Sequence, residues 1–129
     1  MLKTGILNPH LNSLLSRVRH TNALVIADRG FPFWPGMEIV DLSLVDGIPT
    51  VLQVLLAIRT NFVIGQSFVA EEFFSSNPEE TQSALAHALE GIPITREPHV
   101  ALKKRVPDAI GLIRTGDATP YANLILISA

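Results

Sequence analysis

The chain has 129 residues and no cysteine, which excludes thiolate catalysis, disulfides and cysteine-type zinc sites. Charged residues make up 17% and the net charge is −2. No basic block extends beyond Lys103-Lys104-Arg105, which excludes a nucleic-acid footprint, and so little charge on a small domain points to apolar surface hidden in an oligomer.

In chain order, Asn8-Pro9 predicts a helix start with Asn as cap and Pro at the first helical position. Leu11, Leu14, Leu15 and Val18 then follow at helical spacing as far as about His20. The short apolar run 23–27 predicts a strand covered on both faces, ending at Asp28-Arg29-Gly30. Two prolines and a glycine force residues 31–36 into a loop. Its aromatic pair Phe33-Trp34 is costly to leave in water, so Trp34 is expected at a subunit contact or, second, over a ligand.

Residues 38–44 predict a strand, and Pro49 opens a helix to about Arg59. The stretch from Ile48 to Ile58 is the longest apolar one, but it contains Gln53 and is too short to span a bilayer. A strand at 66–70 runs into Glu71-Glu72. Asn77-Pro78-Glu79-Glu80 starts a helix that Gly91 ends, with Asn77 as its cap. A strand at 92–96, a helix at 98–105 and strands at 109–113 and 124–127 complete the chain.

Helices and short buried strands alternate throughout. The expectation is a single α/β domain over residues 1–129, with a mainly parallel sheet between helix layers in a Rossmann-like three-layer arrangement. Without a signal-peptide pattern or a membrane span, a cytoplasmic protein is expected. Ligands in such sheets sit beyond the carboxyl ends of the strands, where Asp28, Glu71 and Arg114 fall.

The segment 114–123 sets the only tyrosine, Tyr121, and Asn123 at the mouth of the last strand. A phenol and a carboxamide are groups that hold hydroxyls in fixed orientations. Taken alone, the pattern reads first as a polar turn whose tyrosine covers the core edge. His10 and His87 read as surface residues. His20 lies at a helix–strand junction and His99 at a helix start. None of the four histidines has metal-ligand spacing, so no metal site is expected. Nucleophile elbows and phosphate loops are absent. What remains is cofactor-free His/Asp acid–base chemistry in a polar pocket.

Several spaced blocks carry a resemblance. They are Gly5-Ile6-Leu7-Asn8, Arg19-His20-Thr21-Asn22, Ala27-Asp28-Arg29-Gly30-Phe31-Pro32, Val40-Asp41-Leu42-Ser43-Leu44, Gly47-Ile48-Pro49, Val69-Ala70-Glu71-Glu72, Asn77-Pro78, Ile113-Arg114-Thr115-Gly116 and Thr119-Pro120-Tyr121-Ala122-Asn123. In this order the chain resembles the D-ribose pyranase family, the ribose-transport-operon sugar-binding proteins related to the L-fucose mutarotases. The Tyr-Ala-Asn ending is closer to the ribose branch. The resemblance implies a cytoplasmic isomerase that exchanges cyclic forms of D-ribose or a related monosaccharide without cofactor or metal. It implies His20 as catalytic proton donor, and Asp28, His99, Tyr121, Ala122 and Asn123 as sugar-binding residues. It also implies a ring-shaped homo-oligomer, a decamer in preference to an octamer.

Arg29 stands where the family has a small residue, and is expected to crowd the sugar or to pair with Asp28. With a C-terminus shorter than is usual in the family, it leaves a non-catalytic monosaccharide-binding protein as the alternative; an L-fucose-type mutarotase is another. One geometric expectation follows from the strand at 23–27. At about 3.3 Å per residue, Ala23 and Asp28 are roughly 16 Å apart and His20 lies further still. Either the chain bends sharply near Thr21-Asn22, or His20 serves the Asp28 site of a neighbouring subunit. The second is favoured.

Overall fold

The structure, a computed structural model, describes residues 1–129. Its elements are α1 (Pro9–Arg17), β1 (Ala23–Ala27), β2 (Ile39–Asp41), α2 (Val51–Arg59), β3 (Ile64–Ala70), α3 (Glu71–Ser76), α4 (Glu79–Ala88), β4 (Ile94–Glu97), α5 (His99–Arg105), a 3-10 turn (Val106–Asp108), β5 (Gly111–Arg114) and β6 (Leu124–Ser128).

The six strands form one sheet in the order β2-β5-β1-β6-β3-β4. β1 pairs in parallel with β5, β5 with β2, and β3 with β4, while β6 runs antiparallel to both β1 and β3. Five strands thus point one way and the central β6 points the other, within the expected α/β class. Alternation along β1 shows why the sheet needs cover on both faces. Leu24 and Ile26 join one core cluster, and Val25 and Ala27 the other.

The first cluster is closed by α1, α2, α3 and α4, through Leu14, Leu55, Ile58, Phe73 and Leu85 among others. The second face is covered more thinly, by Leu102 of α5, Val106 and the loop residue Phe31. Trp34 packs against this second cluster beside Met37, and Phe33 next to it is exposed. No helix is long and apolar enough to cross a membrane.

Several local expectations are corrected. The strand predicted over 38–44 is only Ile39–Asp41, because the Asp41 carboxylate accepts from the Ser43 amide at 3.0 Å and hydroxyl at 2.5 Å and turns the chain. Pro49 does not open α2. Thr50 caps it instead, in a reciprocal box with Gln53. Glu71-Glu72 begins a short helix, α3, with both anions at its positive end. Asn77 is not the cap of α4: Pro78 holds that position with no side-chain cap bond. Gly91 follows α4 in the left-handed region, three residues after Ala88.

Candidate active site

The C-terminal end of β1 and the N-terminal end of β6 lie side by side, with Ile26 opposite Leu124. That register brings Asp28 to Asn123, 95 positions away. Asn123 Oδ1 accepts from the Asp28 amide at 2.8 Å, and its Nδ2 donates to Asp28 Oδ2 at 3.1 Å. The other Asp28 oxygen accepts from the Gly30 amide at 2.9 Å, closing a tight Asx turn. Asn123 is almost fully buried and Asp28 half-buried. Burial pushes the Asp28 carboxyl above its usual range against these hydrogen bonds, and the nearby charge of Asp117 pushes the same way.

Asp28 and Asn123 line a concavity of about 290 Å³ together with Phe31, His99, Thr119 and Tyr121. This is close to the lower end, about 300 Å³, of small-ligand pockets. His99 opens α5, where its amide donates to Glu72 Oε2 at 2.9 Å. Its ring meets Tyr121 edge-on, with centroids 5.1 Å apart, and Phe31 at 6.0 Å. Burial lowers its pKa, with the Lys103 charge adding to the effect, so the ring is neutral near pH 7. Nε2 is buried and has no protein partner. A neutral imidazole with one nitrogen unused, beside a carboxylate and a phenol, suits a polyhydroxylated ligand.

The loop 115–123 is built around a residue not singled out in the sequence, Asp117. It is buried, and Oδ2 accepts from Val51 N at the start of α2 at 2.8 Å. Oδ1 accepts from the Thr119 amide at 2.8 Å, and its carbonyl accepts from Arg29 N at 3.0 Å. Thr115 hydroxyl donates to Ala27 O at 2.8 Å and fastens the loop to β1. The Asp-x-Thr spacing is an Asx-turn signal and could have marked Asp117. A second cavity of about 130 Å³ lies under the same loop, walled by Val51, Phe73, Leu85 and Leu124. Asp117 is its one ionisable group, and that carboxylate is already committed to backbone amides.

Of the residues expected at the site, Asp28, His99, Tyr121 and Asn123 come together. The Ala122 side chain does not line the concavity and packs instead in the first core cluster. His20 is exposed and elsewhere. The chain does turn at residues 19–22, where Asn22 Oδ1 accepts from Arg19 N. Yet Thr21 N donates to Ser128 O at the far end of β6, so His20 stays at the opposite end of the β1–β6 ladder from Asp28. Arg29 reaches the rim but neither pairs with Asp28 nor fills the hollow, since its guanidinium bonds Asp46 at 3.0 Å. Trp34 lines a different hollow with Pro107 and Ile110, not this one.

Comparison with known proteins identifies relatives of the whole chain and of its fold. The D-ribose pyranase of Geobacillus kaustophilus is 44% identical over 128 residues, 99% of this chain and 93% of that protein. The structure of Bacillus subtilis RbsD complexed with D-ribose superposes with a TM-score of 0.93 at 36% identity, covering 100% of this chain and 98% of the other. The fucose mutarotase of Streptococcus pneumoniae in complex with L-fucose shares the fold, with a TM-score of 0.78 at 18% identity over 95% of this chain and 92% of that one. The model of the RbsD / FucU transport protein family matches residues 1–129, and the chain belongs to that family.

Proposed function

We propose that this protein is a D-ribose pyranase, an isomerase that interconverts the pyranose and furanose forms of D-ribose by acid–base ring opening. The observation that carries this function is the Asp28–Asn123 pair set beside a neutral His99 and Tyr121 around one concavity. Full-length relatives at about two-fifths identity bear the same activity in their names.

Opening the pyranose removes the proton from the anomeric hydroxyl as C1=O forms, breaks the bond from C1 to the ring oxygen, and places a proton on that oxygen. Closure to the furanose runs the same steps through another hydroxyl: it adds to C1 and loses its proton, while the carbonyl oxygen gains one. Neither electrons nor a metal enter this balance, so no cofactor is proposed. The Asp28 carboxylate accepts hydroxyl hydrogens, and Asn123, anchored on Asp28, fixes their direction. His99 Nε2 and the Tyr121 phenol complete the orientation of the sugar, which is a large share of the rate gain in such reactions. Ala122 contributes only through the backbone that spaces Tyr121 from Asn123.

His20 is the proposed proton carrier, since an imidazole both gives and takes protons near neutral pH. It reaches the sugar from a neighbouring copy, because its own Asp28 lies beyond the length of β1. The proposal therefore includes a homo-oligomeric ring, a decamer before an octamer, with each site at a subunit boundary, and the cytoplasmic location expected from the sequence.

Magnetisation-transfer NMR between the pyranose and furanose signals of D-ribose tests the activity. The folded protein should speed the exchange without added cofactor and in the presence of chelator, and unchanged exchange would overturn the function. Co-expressed His20→Ala and Asp28→Ala chains test the shared site. About a quarter of randomly mixed boundaries regain both groups, so activity returns in the mixture although each variant alone is inactive. No recovery would place both groups in one subunit.

A further inference from the structure

We propose that Asn77, 43 positions from the loop it serves, is a positioning residue for the sugar site: its side-chain amide holds the turn that presents Tyr121. This role rests on the ribose function proposed above. Tyr121 has φ +56°, in the left-handed region. A bulky aromatic residue is rarely found there, and it stays only where its surroundings over-determine the backbone. Most hydrogen bonds that shape residues 118–122 are local. Thr119 N donates to Asp117 Oδ1, Ala122 N to Thr119 O and Asn123 N to Tyr121 O. Asn77 supplies the one that comes from elsewhere in the chain, with Nδ2 donating to Pro120 O at 2.9 Å.

Asn77 is itself fixed by two further bonds. The same Nδ2 donates to Phe73 O near the end of α3 at 2.8 Å. Gln82 Nε2, on α4, donates to Asn77 O at 2.8 Å and to Phe74 O at 2.7 Å. A continuous path of amide-to-carbonyl bonds thus runs from α4 through Asn77 to the carbonyl that precedes Tyr121. Both hydrogens of the Asn77 amide are spent on carbonyl oxygens. This explains an asparagine where the helix-capping role is absent: Ser, Thr or Asp would cap as well, but none offers two donors. If the Pro120 bond is lost, Tyr121 relaxes toward negative φ and its ring leaves the edge of His99.

Tyr121 is the chain's only tyrosine, so ring-labelled tyrosine gives a single NMR signal that reports the position of this ring. Asn77→Asp is nearly isosteric but turns both donor contacts into oppositions of oxygen against oxygen. The ligand-free variant should show its tyrosine signal moved toward the free amino-acid position, because the His99 ring current no longer acts on it. D-ribose binding should weaken roughly 3- to 10-fold, the loss of about one neutral hydrogen bond. In a Tyr121→Gly background the same Asn77→Asp change should cost ribose binding nothing further, since Asn77 acts through Tyr121.

If Asn77→Asp does not fold, Asn77→Ala removes the donors without the opposing charge and serves in its place. An unmoved tyrosine signal, or losses that add in the double variant, would overturn the proposal. The tyrosine signal needs no sugar, so a wild-type protein that neither binds nor exchanges ribose would sink the ribose function while this signal still decides the role of Asn77.

Discussion

Gly116 is the point where the site loop and the turn before α2 touch, and replacing it tests that contact. A Cβ built there meets Val45 O, Ile48 O at 2.5 Å and Ile48 C at 2.9 Å. All three are backbone atoms, so no flexible side chain can swing away. Gly116 N also donates to Pro49 O at 2.9 Å, and Gly47 N donates to Gly116 O at 2.6 Å. Gly116→Ala must separate the two segments, losing two hydrogen bonds at about 1 kcal/mol each. Strain from forcing a methyl into a packed space adds about 1–3 kcal/mol, for a total of about 3–5 kcal/mol. A domain of this size holds roughly 5–15 kcal/mol, so the variant still folds. Urea unfolding followed by Trp34, the only tryptophan, measures the loss, with an unchanged slope and several protein concentrations to separate any linked dissociation. Gly30→Ala is the control, because its Cβ would meet only Asp28 Oδ1 at 3.7 Å, and its stability should stay within about 1 kcal/mol of wild type. A Gly116→Ala protein within about 0.5 kcal/mol of wild type would refute the close approach.

Three further outcomes follow from the site. Asn123→Asp sets a second carboxylate against Asp28, so the pair takes up a proton at a higher pH than Asp28 alone. The variant should lose about 2–4 kcal/mol at pH 7 and recover part of that loss as the pH falls, and a pH-independent loss measured by urea midpoints would contradict the pairing. Burial holds the His99 pKa below its ordinary 6.5, so the stability of the neutral buried ring is complete above that pH and is lost as the pH falls toward the lower folded value. His99→Gln should flatten the acid side of the stability curve in that window, and an unaltered curve would mean the ring is not desolvated. Tyr121→Phe should weaken ribose binding by roughly 0.5–1.5 kcal/mol, measurable by titration calorimetry, and equal affinity would make the phenol a packing group.

The layer plan was legible because β1 and β6 are apolar at every position that must face helices, and because α1 and α2 carry their apolar residues at helical spacing. The direction of the one antiparallel strand, β6, was not legible in its own residues. A run buried on both faces is the same read either way, so nothing in 124–127 distinguishes parallel from antiparallel. The signal lay in the connection instead. Only residues 115–123 separate β5 from β6, fewer than the dozen or so that a parallel crossover needs. That short return makes β6 antiparallel and puts Asn123 beside Asp28, while the β6 end near Ser128 lies beside Thr21. Asn77 was misread for the converse reason. Its local neighbourhood, Asn-Pro-Glu-Glu, is a sound helix start, and one of the two bonds that engage its amide reaches across 43 positions, which no window of the sequence contains. His20 and Asp28 fall between these cases. Their separation was readable from strand length alone, and the turn at 19–22 does not shorten it, because Thr21 is tied to Ser128. With His20 as the proposed proton carrier, the imidazole that serves Asp28 comes from a neighbouring copy. The local geometry of one strand thus makes a claim about assembly that mixing two inactive chains can decide.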